Sequence, residues 1–257
     1  MNTLTCPLCN KKVTEFHKRS HLLPEWMYTE IYNEKHKVLE ISKRKQKVTK
    51  RQKGYYGQFI CKACEIKTQK YDHYGSLILT NRSPNNPEHK LISREHFEFP
   101  IDGEKTEYEE WKNIDFKKFQ RFVLACILRT QLAGQMKGIS LNKKHFEKLI
   151  SLYHGGATDD ISYPIVVIKN PDNDKFRNQV IIPYIKKQRG HHIIEFAGTG
   201  FIFNVYVSNH KKPNYINAFR LKNDGSMQLI IILFKQTGLF WNTQRMVKAA
   251  KRVSKGI

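Results

Sequence analysis

The chain has no long apolar run. Leu229 to Phe234 is six residues and the longest, Phe122 to Leu128, is seven, against the roughly 20 that a bilayer-spanning helix needs. Nor does Met1-Asn2-Thr3-Leu4-Thr5-Cys6 carry the basic and apolar stretches of a secretion signal. Both absences exclude a membrane partner from the expectation and point to a soluble, cytoplasmic protein. No segment repeats another, so no array of like units is expected. Acidic residues are scarce: Asp+Glu number 23 against 45 Lys+Arg, a formal net charge of +22 and a pI near 9.8. An imbalance of that sign points to a polyanionic partner, because a protein that neutralises phosphates releases their condensed counterions. Cysteine is also sparse. Four of the five fall in two Cys-x-x-Cys pairs, and in a reducing compartment such pairs are metal ligands more readily than disulfides.

What is present is enough to fold. Hydrophobic content of 40% and aromatic content of 12% over 257 residues suit one large or two modest domains, not a disordered chain. Charge divides the chain in three. Residues 1–94 hold 19 Lys/Arg and 8 Asp/Glu, residues 95–115 hold 2 and 8, and residues 116–257 hold 24 and 7. The acidic middle contains Pro100 and Gly103 and reads as a linker between two basic domains.

Periodicity and punctuation predict the elements. Pro24 suits the first turn of a helix reaching about His36. Residues 35–53 read as a basic hairpin or loop, and a second helix is expected from Cys61 or Lys62 to about Leu79. Phe116, Phe119, Val123, Ile127 and Leu128 recur at helical spacing behind Asp115, predicting a helix over 115–133. Cys126 lies in this apolar run and reads as packing. Asn142 opens a further helix that stops at Gly155-Gly156. Strands are then expected near 163–169, 177–185, 191–197, 201–208, 215–221 and 227–234, mostly antiparallel because their connections are short. Gly198-Thr199-Gly200 reads as a hairpin turn, and a basic helix near 243–254 ends the series.

The chemistry concentrates near the N-terminus. Cys6-Pro-Leu-Cys9 and Cys61-Lys-Ala-Cys64 form two knuckles, which together supply the four thiolates of a closed structural zinc site. The 51 residues between the knuckles exceed the roughly 15–20 of a compact zinc ribbon, so the ribbon holds an insertion. That insertion contains Ser20-His21-Leu22-Leu23-Pro24, the second knuckle runs straight into Glu65, and Tyr71-Asp72-His73-Tyr74 follows. On these motifs residues 6–74 resemble the HNH endonucleases, whose ββα-metal motif often sits inside a split zinc knuckle. More narrowly, they are similar to bacterial HNH-like proteins with Ser-His-x-x-Pro and Cys-x-x-Cys-Glu.

Together with the charge division and the periodicity, the resemblance, which covers residues 6–74 and is faint beyond the acidic stretch, predicts an α+β protein. A zinc-knuckled HNH-like ββα-metal module over 1–94 would be followed by the acidic linker over 95–115 and by a domain of helices plus an antiparallel sheet over 116–257. It implies cleavage of DNA or RNA phosphodiesters with His21 as the general base, and with Glu65 and Asp72 holding a catalytic Mg2+ or Mn2+. Two departures stand against it. Ser20 replaces the family's acidic ligand, and the usual middle Asn is missing, Tyr56 standing near its place with Gln58 as the nearest polar residue. A non-catalytic zinc-dependent nucleic-acid-binding protein, or a defence or toxin effector needing a protein partner, is therefore carried alongside. Phosphate contacts are expected from Lys18, Arg19, Lys43, Arg44, Lys45, Lys47, Lys50, Arg51 and Lys53, with Tyr55 and Tyr56 stacking on a base or sugar and His17 as a further DNA contact or ligand. The basic C-terminal helix, with Arg245, Lys248, Lys251, Arg252 and Lys255, adds a second positive surface.

Overall fold

Strand pairs of two residues have little stability of their own, yet the first 60 residues are built largely from them. In the computed structural model, which describes residues 3–42, 47–80, 82–101, 104–134, 139–156 and 159–239, the strands are β1 (Leu4–Thr5), β2 (Lys12–Val13), β3 (Ser20–His21), β4 (Lys37–Ser42), β5 (Lys47–Gln52) and β6 (Tyr56–Gly57). They pair antiparallel as β1–β2, β3–β6 and β4–β5. The β4–β5 hairpin is the expected basic one. The helix expected from Pro24 to His36 is not formed. The segment makes two short 3-10 turns, Glu25–Met27 and Thr29–Ile31, and returns to extended backbone at Tyr32. Thr29 donates its hydroxyl to the Trp26 carbonyl, and the aromatic and β-branched run Tyr28-Thr29-Glu30-Ile31-Tyr32 is poor in helix formers.

Helix α1 (Lys62–Leu79) follows with Cys61 at its N-cap, as expected. A short α2 (Pro87–Lys90) leads into β7 (Ser93–Ile101) and β8 (Glu104–Lys112). These two strands occupy the stretch read as an acidic linker, and that reading is corrected. Counting charge hides a period-two pattern: Phe97 and Tyr108 pair across the strands with rings stacked at 5.0 Å, while Trp111 is buried. The carboxylates are matched by cations, Lys112 with Glu95 and Glu110, and Lys169 with Glu109 at 2.6 Å.

Helices α3 (Phe116–Leu132) and α4 (Lys143–His154) have the expected caps. Asp115 accepts from the Lys118 N–H and Asn142 from the His145 N–H. Gly155 closes α4 at φ 105°, a conformation that side chains disfavour. Then come β9 (Ile165–Lys169), β10 (Ile181–Gln188), β11 (His191–Gly198), β12 (Phe201–Tyr206), helix α5 (Asn214–Phe219) and β13 (Met227–Ile231). The strand expected at 215–221 is thus α5. It follows Pro213 and buries a single residue, Ile216, and a short apolar run cannot be told from a strand by period alone. The helix expected at 243–254 lies outside the described residues.

The seven longer strands after α2 form one sheet in the order β10-β11-β12-β9-β13-β8-β7. Every neighbouring pair is antiparallel except β13 with β9, which is parallel. The fold class is α+β. Gly198-Thr199-Gly200 makes the β11–β12 hairpin, with φ 50° at Thr199 and 82° at Gly200. α1 and α3 lie against each other, and Phe122 of α3 reaches Phe203 of β12 edge-on. One core cluster runs from Cys6 and Leu8 through α1 and α3 to Met227 and Leu229. The expected division into separate domains is corrected accordingly. Gly75 permits the close approach of α1: a Cβ there would meet the Phe122 ring at 2.7 Å. No helix among the described residues is long and apolar enough to cross a membrane.

At the α1–α3 contact Arg129, 1% exposed, grips Asp72 with both arms, Nη1 to Oδ2 at 2.7 Å and Nη2 to Oδ1 at 3.0 Å. Burial pulls the guanidinium's pKa down, and Asp72 more than offsets that, so the net shift is upward and Arg129 stays charged. Removing one partner of such a pair leaves a buried charge unmatched, at a cost of about 3–5 kcal/mol. Asp72→Ala should lower the unfolding free energy by that amount in urea titrations, and Asp72→Ala combined with Arg129→Met should recover much of the loss.

Candidate functional site

The first knuckle sits on the turn between β1 and β2, and the second at the start of α1. Their four sulfurs lie within 4.8 Å of one another. Cys6 Sγ is 3.9 Å from Cys64 Sγ, and Cys9 Sγ is 3.8 Å from Cys61 Sγ. These are far from a disulfide at about 2.05 Å. They match the edge of a tetrahedron whose zinc–sulfur bonds are about 2.3 Å, which is about 3.8 Å. The donor set suits a metal ion such as zinc. Burial opposes ionisation of Cys6, but backbone N–H groups of Cys61, Cys9 and Leu8 bring its thiol down to about 7, while burial and the neighbouring cysteines push Cys64 up. The knuckle is braced from the C-terminal half, where His154 of α4 bonds the Leu8 carbonyl at 2.6 Å.

Beside the cysteines is a pocket of about 320 Å³ lined by His21, Pro24, Glu25, Trp26, Glu65, Gln69, Asp72 and His73. Two sources build it. β3 and the turn after Pro24 bring His21 and Glu25, and α1 brings Glu65, Gln69 and Asp72 at spacings of four and three, which share one helix face. Glu65 is 4% exposed and its Oε2 has no hydrogen-bond partner. His21 Nε2 is 3.2 Å from Glu25 Oε2. Burial pushes the imidazole below its ordinary pKa; Glu25 pulls it back up and Arg129 pushes it further down.

The structure therefore brings His21, Glu65 and Asp72 to one pocket. Asp72, though, has both oxygens on Arg129, so it is not available as the expected cation ligand. Among the described residues, the four cysteines are the one group of three or more His, Cys, Asp or Glu side chains that converges at ligand spacing. Ser20 is fully buried on β3, with no partner for its Oγ.

Of the expected phosphate contacts, Lys18, Arg19, Lys50 and Lys53 are exposed. Arg51 lies 4.1 Å over the Tyr55 ring and pairs with Glu40. Lys43, Arg44 and Lys45 lie outside the described residues, as does the side chain of Lys47. Tyr56 is exposed, with Arg19 5.7 Å over its ring.

Glu25, Trp26, Gln69, His73 and Arg129 were not singled out from the sequence. Glu25 had a signal, standing four residues after His21. Arg129 had another, as a charge directly after the apolar stretch Ala125-Cys126-Ile127-Leu128.

The purified chain should carry close to one metal ion per molecule, read by elemental analysis. Cys61→Ser should lose that ion together with folded protein, since structural zinc contributes about 10 kcal/mol or more to folding. Comparison of the chain with protein-family models, with curated proteins and with solved structures found no match.

Proposed function

We propose that the chain is a metal-dependent endonuclease that cleaves nucleic acid, DNA first, with His21 as general base. One observation carries this reading: His21 of the β3–β6 pair and the buried carboxylate of Glu65 on α1, whose Oε2 has no hydrogen-bond partner, line one pocket. The order strand, strand, helix, with a cysteine knuckle at each end, is also what the resemblance to HNH endonucleases implies. In a chain of net charge +22 this pocket runs the other way, with Glu25, Glu65 and Asp72 against Arg129, an excess of carboxylate that favours a cation.

An imidazole whose pKa is lowered is neutral at neutral pH, so His21 can accept the proton of an attacking water. Glu65 would hold a hard divalent cation, Mg2+ or Mn2+, which supplies positive charge at the phosphate as the leaving oxygen departs. Such ions keep several waters and take further ligands from substrate phosphate, so a single buried carboxylate suffices to place one. Arg129 holds Asp72 at the pocket wall. Lys18, Arg19, Lys50 and Lys53, together with Lys43, Arg44, Lys45 and Lys47, would contact the backbone. The second reading, a zinc-dependent binding protein without catalysis, is favoured by Ser20, which puts a buried hydroxyl where the family carries an acid.

Plasmid and single-stranded DNA incubated with Mg2+ or Mn2+ decide between the two. Wild type should cleave, and His21→Ala should lose about 10²–10⁴-fold, the usual worth of a general base, with metal content and binding unchanged. Equal cleavage by both proteins would place the activity elsewhere, and no cleavage by either leaves the binding reading. Because His21 must be neutral to act and its pKa is lowered, the acid limb of kcat/KM should fall below the ordinary imidazole value of about 6.5.

Binding to duplex DNA should weaken with salt by about 0.9 in log affinity per log unit for each phosphate contact. Replacing Lys43, Arg44, Lys45 and Lys47 together should flatten that slope; an unchanged slope would make the hairpin a solvated surface.

A further inference from the structure

We propose that Tyr56 is the stacking platform for an unpaired base beside the His21 pocket, so that the strand this site takes is single-stranded DNA. The inference rests on the nucleic-acid reading of that pocket and adds to it a substrate class and the residue that selects it.

Two tyrosines follow the basic hairpin, and only one of them is open to a ligand. Tyr55 is half-buried and engaged: Arg51 lies 4.1 Å over its ring, and its hydroxyl bonds Glu40. Tyr56 is 39% exposed. It stands directly opposite His21 across the β3–β6 pair, as Gly57 stands opposite Ser20. Residues directly opposite each other project to one face of a strand pair, and successive residues to opposite faces. Ser20 is fully buried, so its face turns inward, and the face shared by His21 and Tyr56 turns outward. Their rings lie 6.1 Å apart, edge to face. The backbone holds this placement beyond the two registered residues. The Leu22 N–H donates to the Tyr55 carbonyl at 2.9 Å, and the His17 N–H to the Ile60 carbonyl at 2.8 Å, one contact on either side of the pair.

A nucleotide offers two groups that this face can hold. Every base has a π-face that stacks on an aromatic ring whatever its identity, and the phosphate attracts a guanidinium. Arg19 is exposed and lies 5.7 Å over the Tyr56 ring, so the cation and the ring stand side by side. In a duplex each base already has neighbours on both faces, and the ring gains a base only after that base is unstacked and unpaired, which costs free energy. A single strand is free of that cost. With a base on Tyr56 and a phosphate on Arg19, the strand lies along the face that His21 shares, and its backbone runs past the pocket. Tyr56 makes no charge contact of its own, so it adds affinity without adding salt dependence, whereas Arg19 adds both.

The test is binding by the full-length, zinc-loaded protein, without added Mg2+ or Mn2+, to a single-stranded DNA oligonucleotide carrying 2-aminopurine and to the duplex of the same sequence. Fluorescence of the 2-aminopurine reports stacking directly. Wild type should bind the single strand more tightly than the duplex and quench the probe. Tyr56→Ala should weaken single-strand binding about 5–150-fold, the worth of one stacked base, abolish the quenching and leave the duplex nearly untouched. Tyr56→Phe keeps the ring and should keep both affinity and quenching. The salt slope should be unchanged in Tyr56→Ala and fall by about 0.7 in Arg19→Ala, one phosphate contact on a single strand. Zinc content and melting temperature should match wild type in all three variants. Equal losses on single strand and duplex, no loss in Tyr56→Ala, or failure of Tyr56→Phe to retain binding overturns the proposal and leaves the nucleic-acid reading standing. Absence of binding to either DNA at low salt overturns both. Ring-dependent binding of the single strand upholds the proposal even if wild type cleaves no substrate, an outcome that removes only the nuclease reading.

Discussion

A guanidinium with 1% of its surface exposed has to bring its counter-charge with it, and Arg129 finds that charge in Asp72, one helix away. The ion pair ties α3 to α1 at one azimuth, because a bidentate clasp tolerates neither rotation nor slide of either helix. α1 carries the second knuckle and Glu65, so the clasp also decides where the metal-binding cysteines and the pocket stand relative to the sheet. Gly75 and Phe122 set the distance between the same two helices. The pair thus defines the rigid frame on which the short N-terminal strands are hung.

That frame explains how strands of two residues persist. β3 and β6 offer two registered residues each, too few to hold by backbone bonding alone. They are joined at one end to cysteines that converge with those of α1, and through Leu22, Leu23 and Ile60 they enter the common core. His154 of α4 reaches back to the knuckle at Leu8. The pocket is consequently a product of the whole chain: α3 and α4 supply no wall to it, yet they position every element that does.

Much of this was readable beforehand, for physical reasons that can be named. The knuckles were legible because four thiols at that spacing have few other uses, and α1, α3 and α4 because each carries its own cap or period. The acidic stretch at 95–115 was misread since charge totals are blind to alternation; Phe97 and Trp111 held the information. The 3-10 turns after Pro24 and the helix α5 are too short for a period to show. The pocket was half legible. His21 and Glu65 are marked by neighbouring motifs, whereas Asp72's engagement depends on Arg129, 57 residues on, and no local pattern announces a partner at that distance.

The strand order has a consequence for how the chain is made. β7 and β8 are complete by residue 112, and β9 by residue 169, yet their backbones do not pair: β13, at residues 227–231, lies between β8 and β9. On a ribosome the hairpin would emerge with its β8 edge open and wait for more than a hundred residues of synthesis before that edge is paired. Open edges invite pairing with other chains, and contacts between distant residues form slowly. The row of Glu107, Glu109 and Glu110 along β8 is therefore well placed as a guard, since like charges on two waiting hairpins repel until β13 arrives.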